Sequence, residues 1–536
     1  MSPRPRITSR IDVVRNAVLG AVLRPFRWFS STSQFVIGFA ALSLATTILL
    51  ARWPLTYRVI TVLAIVSAVY FLVWQFVKYR ASSVDLLISS QRAFALMGSA
   101  IFFETAVVRL SFMVTNAIAA QGTQSPFDDA AVWTFTIPFA AASLLVTMLL
   151  DRQLSFLTGL ITAVVAGVLA QRGIPAMLYA FISCAMAAYG IKRYRERQAV
   201  TIGGLLVAAV NVVAAVAITA FTEPQFHLFA ILISALFGLG GGLLTIVFAA
   251  GGVPINESLF GVLTDIRLLE LTNADLPVLS QLAVRAPGTN QHSHAVGQLA
   301  EDASRAIGAN AILARVGALY HDIGKVAAPD HFVENQTGDN PHDRLKPIQS
   351  AKIITSHVTY GLRLAKEIGL PKRIADFIPQ HHGTRTLHFF LRKAQTESKG
   401  ATINEADFRY PGPKPQFKEA AILMLVDSAE AAARTLAQPN PENIRAIVSK
   451  IFDAVVSDGQ LDESQLTLQE LRQLREAIVN SLMAIYHPRI DYPGFNASSP
   501  PDEETPIRGA SYASAAEVPI NESGEVEDEA VSRRDD

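Results

Sequence analysis

"LYHDIGK", residues 319–325, ends an apolar run on a histidine–aspartate pair. Ahead of it Ile312, Leu313, Val316 and Leu319 recur at helical spacing, so the pair leaves a helix on the face that should meet a core. The arrangement recurs. Ile353 and Ile354 precede His357; Ile374, Phe377 and Ile378 precede His381 and His382; Leu423 and Val426 lead into Asp427. Eight of the eleven histidines fall between residues 292 and 382. One inward histidine is ordinarily a hydrogen-bonded core residue. Five of them with two aspartates are costly to bury together unless a cation neutralises them, and nitrogen and oxygen donors suit a hard or borderline divalent ion. Asp322, next to His321, has two oxygens and can serve two positions. This suggests a two-metal site, ions ~3.5–4 Å apart, clamping a phosphate and an attacking hydroxide.

Working outward, the chain has two unlike halves. Its 536 residues carry 46 basic and 46 acidic side chains, for a formal net charge of zero. The mean hydropathy of +0.30 is too high for an ordinary soluble protein. Apolar runs near 34–51, 58–77, 93–117, 132–150, 154–171, 175–191, 200–221 and 227–250 are each about long enough to cross ~30 Å of hydrocarbon as helix, which makes eight spans. The basic N-terminus before the first run has no convincing small-residue cleavage site, so that run reads as an anchor. The lone cysteine, Cys184, lies in an apolar run and excludes disulfides or cysteine-based zinc sites within the chain.

Lysine and arginine bias orients the spans. Segments 1–33, 78–92, 151–153 and 192–199 carry fourteen of them, whereas the alternate loops have only Arg52, Arg58 and Arg172. With the N-terminus inside, eight spans return everything after about residue 251 to the cytoplasm. Glu104 and Arg109 fall within the third span, at a spacing that does not make an ion pair. The glycines of "GLGGG", 238–242, allow close helix packing.

After the last span "GGVPINESLFG" should break the helix, and 251–285 should form a juxtamembrane linker and helix. Helical periodicity then continues through 293–307, 311–320, 347–368, 371–381, 416–437, 441–456 and 466–486. Strand signals are nearly absent. The reading is all-α throughout: a basic N-terminus (1–33), a membrane domain (34–250), the linker, a soluble domain over 286–492 and a disordered tail over 493–536. Eleven acidic residues against three arginines characterise that tail. The Pro/Gly-rich "YPGPKP" marks 394–415 as a surface excursion.

"HDIGK", with "APGTNQHS", "FVENQ", "NPHDRLKP", "IITSHV", "QHHGT" and "AAILMLVDSAEAAARTL", resembles the seven-transmembrane receptors with an intracellular HD hydrolase domain. The resemblance is close over about 255–492 and in outline over the seven spans before it. It implies a bacterial inner-membrane enzyme that hydrolyses cyclic di-AMP to pApA, and onward to AMP, with two divalent ions, Mn or Fe. It implies His292, His321 and Asp427 as ligands of one metal, His357, His381 and His382 as ligands of the other, and Asp322 as the bridge. Lys325 matches a lysine that contacts a phosphate oxygen. His342 and Asp343 in the loop motif, and Thr384, are expected to line the substrate site. His294 stands two positions from His292 and points elsewhere; His331, His388 and His487 read as surface or structural. The implied partners are a cyclic dinucleotide and the lipid bilayer, with no nucleic-acid polymer; homodimerisation is left open. One departure stands out: family members carry a large extracytoplasmic sensor between the first two spans, where this chain has about "ARWPLTYR".

Three rival readings exist. HD-GYP proteins, which cut cyclic di-GMP, follow their histidines with a Gly-Tyr-Pro motif that "QHHGTRTLHFF" lacks. A nucleotide phosphohydrolase would share the metal chemistry. A receptor whose HD domain only binds nucleotide would have no need of a complete ligand set. The topology is directly testable: a reporter active only outside the cytoplasm should be active when fused near Ser125 and silent after Gln198 or Tyr492. Activity after Tyr492 would place the soluble domain on the wrong side for a cytoplasmic nucleotide.

Overall fold

The computed structural model describes residues 31–51, 58–84, 86–190, 198–222, 227–398 and 403–486. The basic N-terminus up to residue 30, residues 191–197, His487 and the acidic tail lie outside the described residues. No strand occurs among those described; Thr386 and Arg409 form one isolated bridge.

The apolar half consists of α1 (Ser31–Leu50), α2 (Arg58–Ser83), α3 (Ser90–Ala119), a broken span made of α4 (Ala130–Trp133) and α5 (Ala141–Leu149), α6 (Arg152–Leu169), α7 (Gly173–Tyr189), α8 (Gln198–Thr222) and α9 (Leu228–Phe260). Seven of these spans are long and apolar enough to cross a bilayer; α7 has only 17 residues. Its contacts place its two ends. Beside its start, Arg172 pairs with Asp129 at 2.9 Å and Gln171 bonds Asn116 at 3.0 Å. At its finish Tyr189 meets Phe156, near the end where Arg80 pairs with Asp151 at 3.0 Å. So α7 runs between the same two ends as its longer neighbours.

The two charges in the third span both serve helix ends. Glu104 Oε2 accepts the Ala142 N–H at 3.1 Å, capping α5 where the broken span resumes. Arg109 donates to the Leu49 and Ala51 carbonyls at the end of α1. The break itself is a 3₁₀ turn, Thr134–Thr136, followed by Pro138. Irregular backbone at membrane depth needs partners from the protein. Tyr179 Oη donates to the Phe135 carbonyl at 2.9 Å, and Cys184 Sγ to that of Phe139 at 3.2 Å.

"GLGGG" packs against this region. A Cβ on Gly241 would lie 2.4 Å from the Phe135 oxygen, and one on Gly242 2.2 Å from the Ala208 Cα. The stretch "GGVPINESLFG" does not break the helix, contrary to the sequence expectation. α9 runs 33 residues through Pro254 to a left-handed Gly261 with φ +66°. The proline removes one donor from the ladder without stopping it, and Asn256 Nδ2 donates to the Gly252 carbonyl at 2.8 Å.

The soluble half begins with α10 (Asp265–Glu270), α11 (Pro277–Arg285), α12 (Pro287–Ala306) and α13 (Ala311–Tyr320). It continues with α14 (Pro347–Ile368), α15 (Lys372–Ala375), α16 (Phe377–Gln380) and α17 (His388–Glu397). α18 (Lys418–Ala433), α19 (Pro441–Ser457) and α20 (Leu468–Ile485) complete it. α12 starts at Pro287, six residues ahead of the periodic signal, because proline fits the first helical turn. α18 is the central element: Ala420 to Val426 are all fully buried, as in a helix enclosed on every side. Two tight approaches place the site. A Cβ on Gly324 would lie 1.9 Å from the His357 oxygen, and one on Gly288 1.8 Å from that of Glu334. Only glycine lets the chain after "HD" touch α14 and the start of α12 touch 332–335.

The glycine contacts make a paired prediction. Gly242→Val, which meets backbone, should cost about 1–3 kcal/mol of stability, read as a lower Tm in detergent. Gly240→Val, which has nothing within 4 Å, should leave Tm unchanged.

Candidate metal centre

Five helices deliver the histidines and aspartates to one place. α12 brings His292; the end of α13 brings His321 and Asp322; α14 brings His357; the end of α16 brings His381 and His382; α18 brings Asp427. Donor atoms of Asp322, His357, His381 and His382 lie within 4.8 Å of one another, as do those of His292, His321 and Asp427. Asp322 joins the groups. Its Oδ2 is 3.1 Å from His321 Nε2, while its Oδ1 is 3.4 Å from His357 Nε2 and 3.7 Å from His381 Nε2.

The ring tautomers are set by the helices. Nδ1 of His321 lies 2.6 Å from the Ala318 carbonyl, that of His357 2.6 Å from Ile354, and that of His381 3.1 Å from Phe377. A carbonyl only accepts, so each Nδ1 carries the proton and each Nε2 presents a lone pair. His292 is held differently: Nδ1 meets Glu430 Oε2 at 2.8 Å and Nε2 meets Asp427 Oδ1 at 2.9 Å.

These inward atoms lack other partners. Nε2 of His321, His357 and His381, and Oδ1 of Asp322, are buried without a hydrogen bond. Buried polar atoms are normally satisfied. Four orphans converging from three chain segments, all lone-pair donors, fit a cation-binding site and no ordinary core.

The electrostatics agree. Burial, reinforced by the neighbouring His321, pushes His381 down to about 3. His382 is held well below its ordinary value by burial and by His381 and His357, and burial lowers His357 against the pull of Asp322. All three rings are therefore neutral, as a ligand must be. Burial would raise Asp322 and Asp427, but the histidines around both, with Lys325 beside Asp322, hold both carboxyls below the usual range. Burial opposes a charge on His292, yet Asp427 and Glu430 raise it to about 10.

Lys325 lies beyond α13, which ends at Tyr320, on a 3₁₀ helix, Ile323–Ala327. Lys325 Nζ sits 2.7 Å from Asp322 Oδ2 and 2.7 Å from Glu334 Oε1, and Thr289 Oγ1 donates to the same Glu334 oxygen at 2.9 Å. The two carboxylates overcome burial and keep the ammonium charged.

His294 is exposed on α12. His342 packs elsewhere, against the His331 carbonyl at 2.9 Å and the Phe390 ring, and Asp343 is exposed. Thr384 bonds Gln460 through both backbone and hydroxyl.

Three residues at the centre escaped the sequence reading: Glu430, Glu334 and Tyr410. The segment 394–415 is not simply a surface excursion. Phe408 and Tyr410 are buried, and the Tyr410 ring stacks on His382 at 4.1 Å and 25°. Its signal was the aromatic pair in "FRYPGPKP", masked by the turn residues around it.

Fold and site define an all-α HD-type domain joined to a bundle of membrane helices. The family model for a 7TM receptor with intracellular HD hydrolase matches residues 56–264, and that for the HD domain matches residues 289–432. The first segment holds seven spans, α2 to α9, with α7 among them and α1 ahead of them. The two matches, in this order along the chain, are those of a 7TM receptor with an intracellular HD hydrolase.

It is 38% identical over 366 residues to the cyclic-di-AMP phosphodiesterase PgpH of Bacillus subtilis (strain 168), across 67% of this chain and 51% of that protein. PgpH of Listeria monocytogenes serotype 1/2a (strain 10403S) is 38% identical over 362 residues, across 67% and 50%. The crystal structure of the L. monocytogenes PgpH HD domain in complex with cyclic-di-AMP is 46% identical, with a TM-score of 0.39, across 40% of this chain and 100% of that one. The chain spans about half the length of the curated relatives it matches.

Asp322→Ala removes the one carboxylate that faces both groups. It should lower metal content at both positions while far-UV circular dichroism stays near wild type, and His294→Ala should keep full metal. Metal lost on His294→Ala but retained on His292→Ala would assign the wrong histidine.

Proposed function

We propose that the chain is a membrane-anchored, metal-dependent phosphodiesterase that hydrolyses cyclic di-AMP to pApA, its HD domain facing the cytoplasm of a bacterial inner membrane. The observation that carries this reading is the convergence of the orphaned donors of His321, Asp322, His357 and His381. The names of the relatives supply the substrate, and the lysine and arginine bias of the loops supplies the orientation.

Two divalent ions, Mn or Fe as the family resemblance implies, would be held by His292, His321 and Asp427 and by His357, His381 and His382, with Asp322 shared; the donor set by itself suits Mn, Fe, Co or Ni alike. Bound ions supply charge to polarise a phosphodiester and lower the pKa of water. The chain's own residues do the rest. Backbone carbonyls and Glu430 fix the imidazoles before substrate arrives, so little reorganisation is needed. Lys325, kept charged by Asp322 and Glu334, stands beside the shared carboxylate as a fixed cation for a non-bridging phosphate oxygen. The Tyr410 ring, stacked on His382, helps to fix that imidazole. In-line cleavage at one phosphodiester releases a ribose 3′ oxygen and leaves a linear dinucleotide; a second cut would give AMP.

The metal chemistry is indifferent to the base, so purine choice lies with the pocket walls. The Mn-loaded, detergent-solubilised chain should cleave cyclic di-AMP with at least about a tenfold higher kcat/KM than cyclic di-GMP, a difference of only ~1.4 kcal/mol in transition-state binding. Equal rates would widen the assignment to cyclic dinucleotides in general. Preference for a deoxynucleoside triphosphate, with neither dinucleotide cut, would overturn it.

A further inference from the structure

The imidazoles of the centre differ in what holds them from behind. Three lean on neutral carbonyls of their own helices, whereas His292 Nδ1 leans on the carboxylate of Glu430. Glu430 lies one turn beyond Asp427 on α18 and is 3% exposed, and its other oxygen takes the Arg434 Nε–H. One helix thus supplies a ligand and, three residues on, the support of a second ligand on the same face.

The donor sets are unequal as well. His292, His321 and Asp427 would offer a cation the Asp427 carboxylate, with Asp322 Oδ2 3.1 Å from His321 Nε2 and Glu430 behind the His292 ring. His357, His381 and His382 would offer three imidazoles, with the other Asp322 oxygen 3.4 Å from His357 Nε2.

We propose that Glu430 is a positioning residue that makes the two metal positions unequal, the His292–His321–Asp427 position filling first and holding its ion more tightly. This rests on the metal-centre reading above and goes beyond it. A carboxylate behind an imidazole orients the ring and raises its basicity, and losing such a partner ordinarily weakens metal binding 10–100-fold. Arg434, 40% exposed on its outer side, anchors the carboxylate.

The test is Mn(II) titration of the chelator-stripped full chain in detergent, followed by electron paramagnetic resonance. In the wild type the first equivalent should give the six-line signal of an isolated ion. The second should convert it to an exchange-coupled multiline signal, with at least about tenfold weaker affinity. Glu430→Gln should weaken the first step about 10–100-fold and leave the second unchanged, so that single-ion and coupled signals grow together. Arg434→Met should act in the same direction to a smaller extent, and it decides the matter if Glu430→Gln does not fold. Simultaneous filling in the wild type, or equal weakening of both steps in Glu430→Gln, would overturn the proposal while leaving the metal centre intact. A wild-type chain that binds no Mn(II) would overturn both.

Discussion

The soluble domain is organised around one shared carboxylate. Asp322 turns one oxygen toward His321 and the other toward His357 and His381, and the local path of the backbone allows it to do so. α13 stops at Tyr320, and Gly324 then passes so close to α14 that any side chain there would strike the His357 backbone. That contact sets the spacing of the two histidine groups. Lys325, on the same turn, offsets the charge gathered there, and Glu334, itself bonded by Thr289, holds Lys325 in turn.

Buried charge is handled by different rules in the two halves. In the membrane half Glu104 and Arg109 satisfy helix ends that have no water to turn to, so each is matched to backbone. In the soluble half the carboxylates are matched to imidazoles, and several buried lone-pair donors without a hydrogen bond face one another. Glu104 leaves one oxygen, Oε1, without a hydrogen bond, whereas in the soluble half such atoms converge from several segments, an arrangement that fits a cation.

Much of this was legible in the sequence because it rests on side-chain type and period. The apolar runs mark every span, and the seven residues singled out as ligands do meet in two groups. What the sequence hid depends on backbone. Hydropathy registers the apolar content of 132–150 but not the turn at 134–136, which has no charged residue to announce it. The glycines and proline of 251–261 resemble a helix stop, yet α9 passes through them to the left-handed Gly261, with the Asn256 side chain bonded to the Gly252 carbonyl. Glu430 was overlooked in an alanine-rich stretch, and Tyr410 among turn residues. Both act through another residue's ring, a relation with no period to detect.

α9 also has a mechanical meaning. A helix of 33 residues is ~50 Å long, whereas the hydrocarbon layer is ~30 Å thick. The helix is therefore some twenty ångströms longer than that layer is thick, and a tilt of ~5° about the far end would carry Gly261 ~4 Å sideways. Beyond that point the chain is short of slack. Thr264 is tied to Glu257 at 2.7 Å, and the Leu271 carbonyl receives the Tyr320 hydroxyl at 2.9 Å, one residue before His321. Ten residues of chain and one side-chain hydrogen bond therefore join the end of this helix to the segment carrying the shared carboxylate.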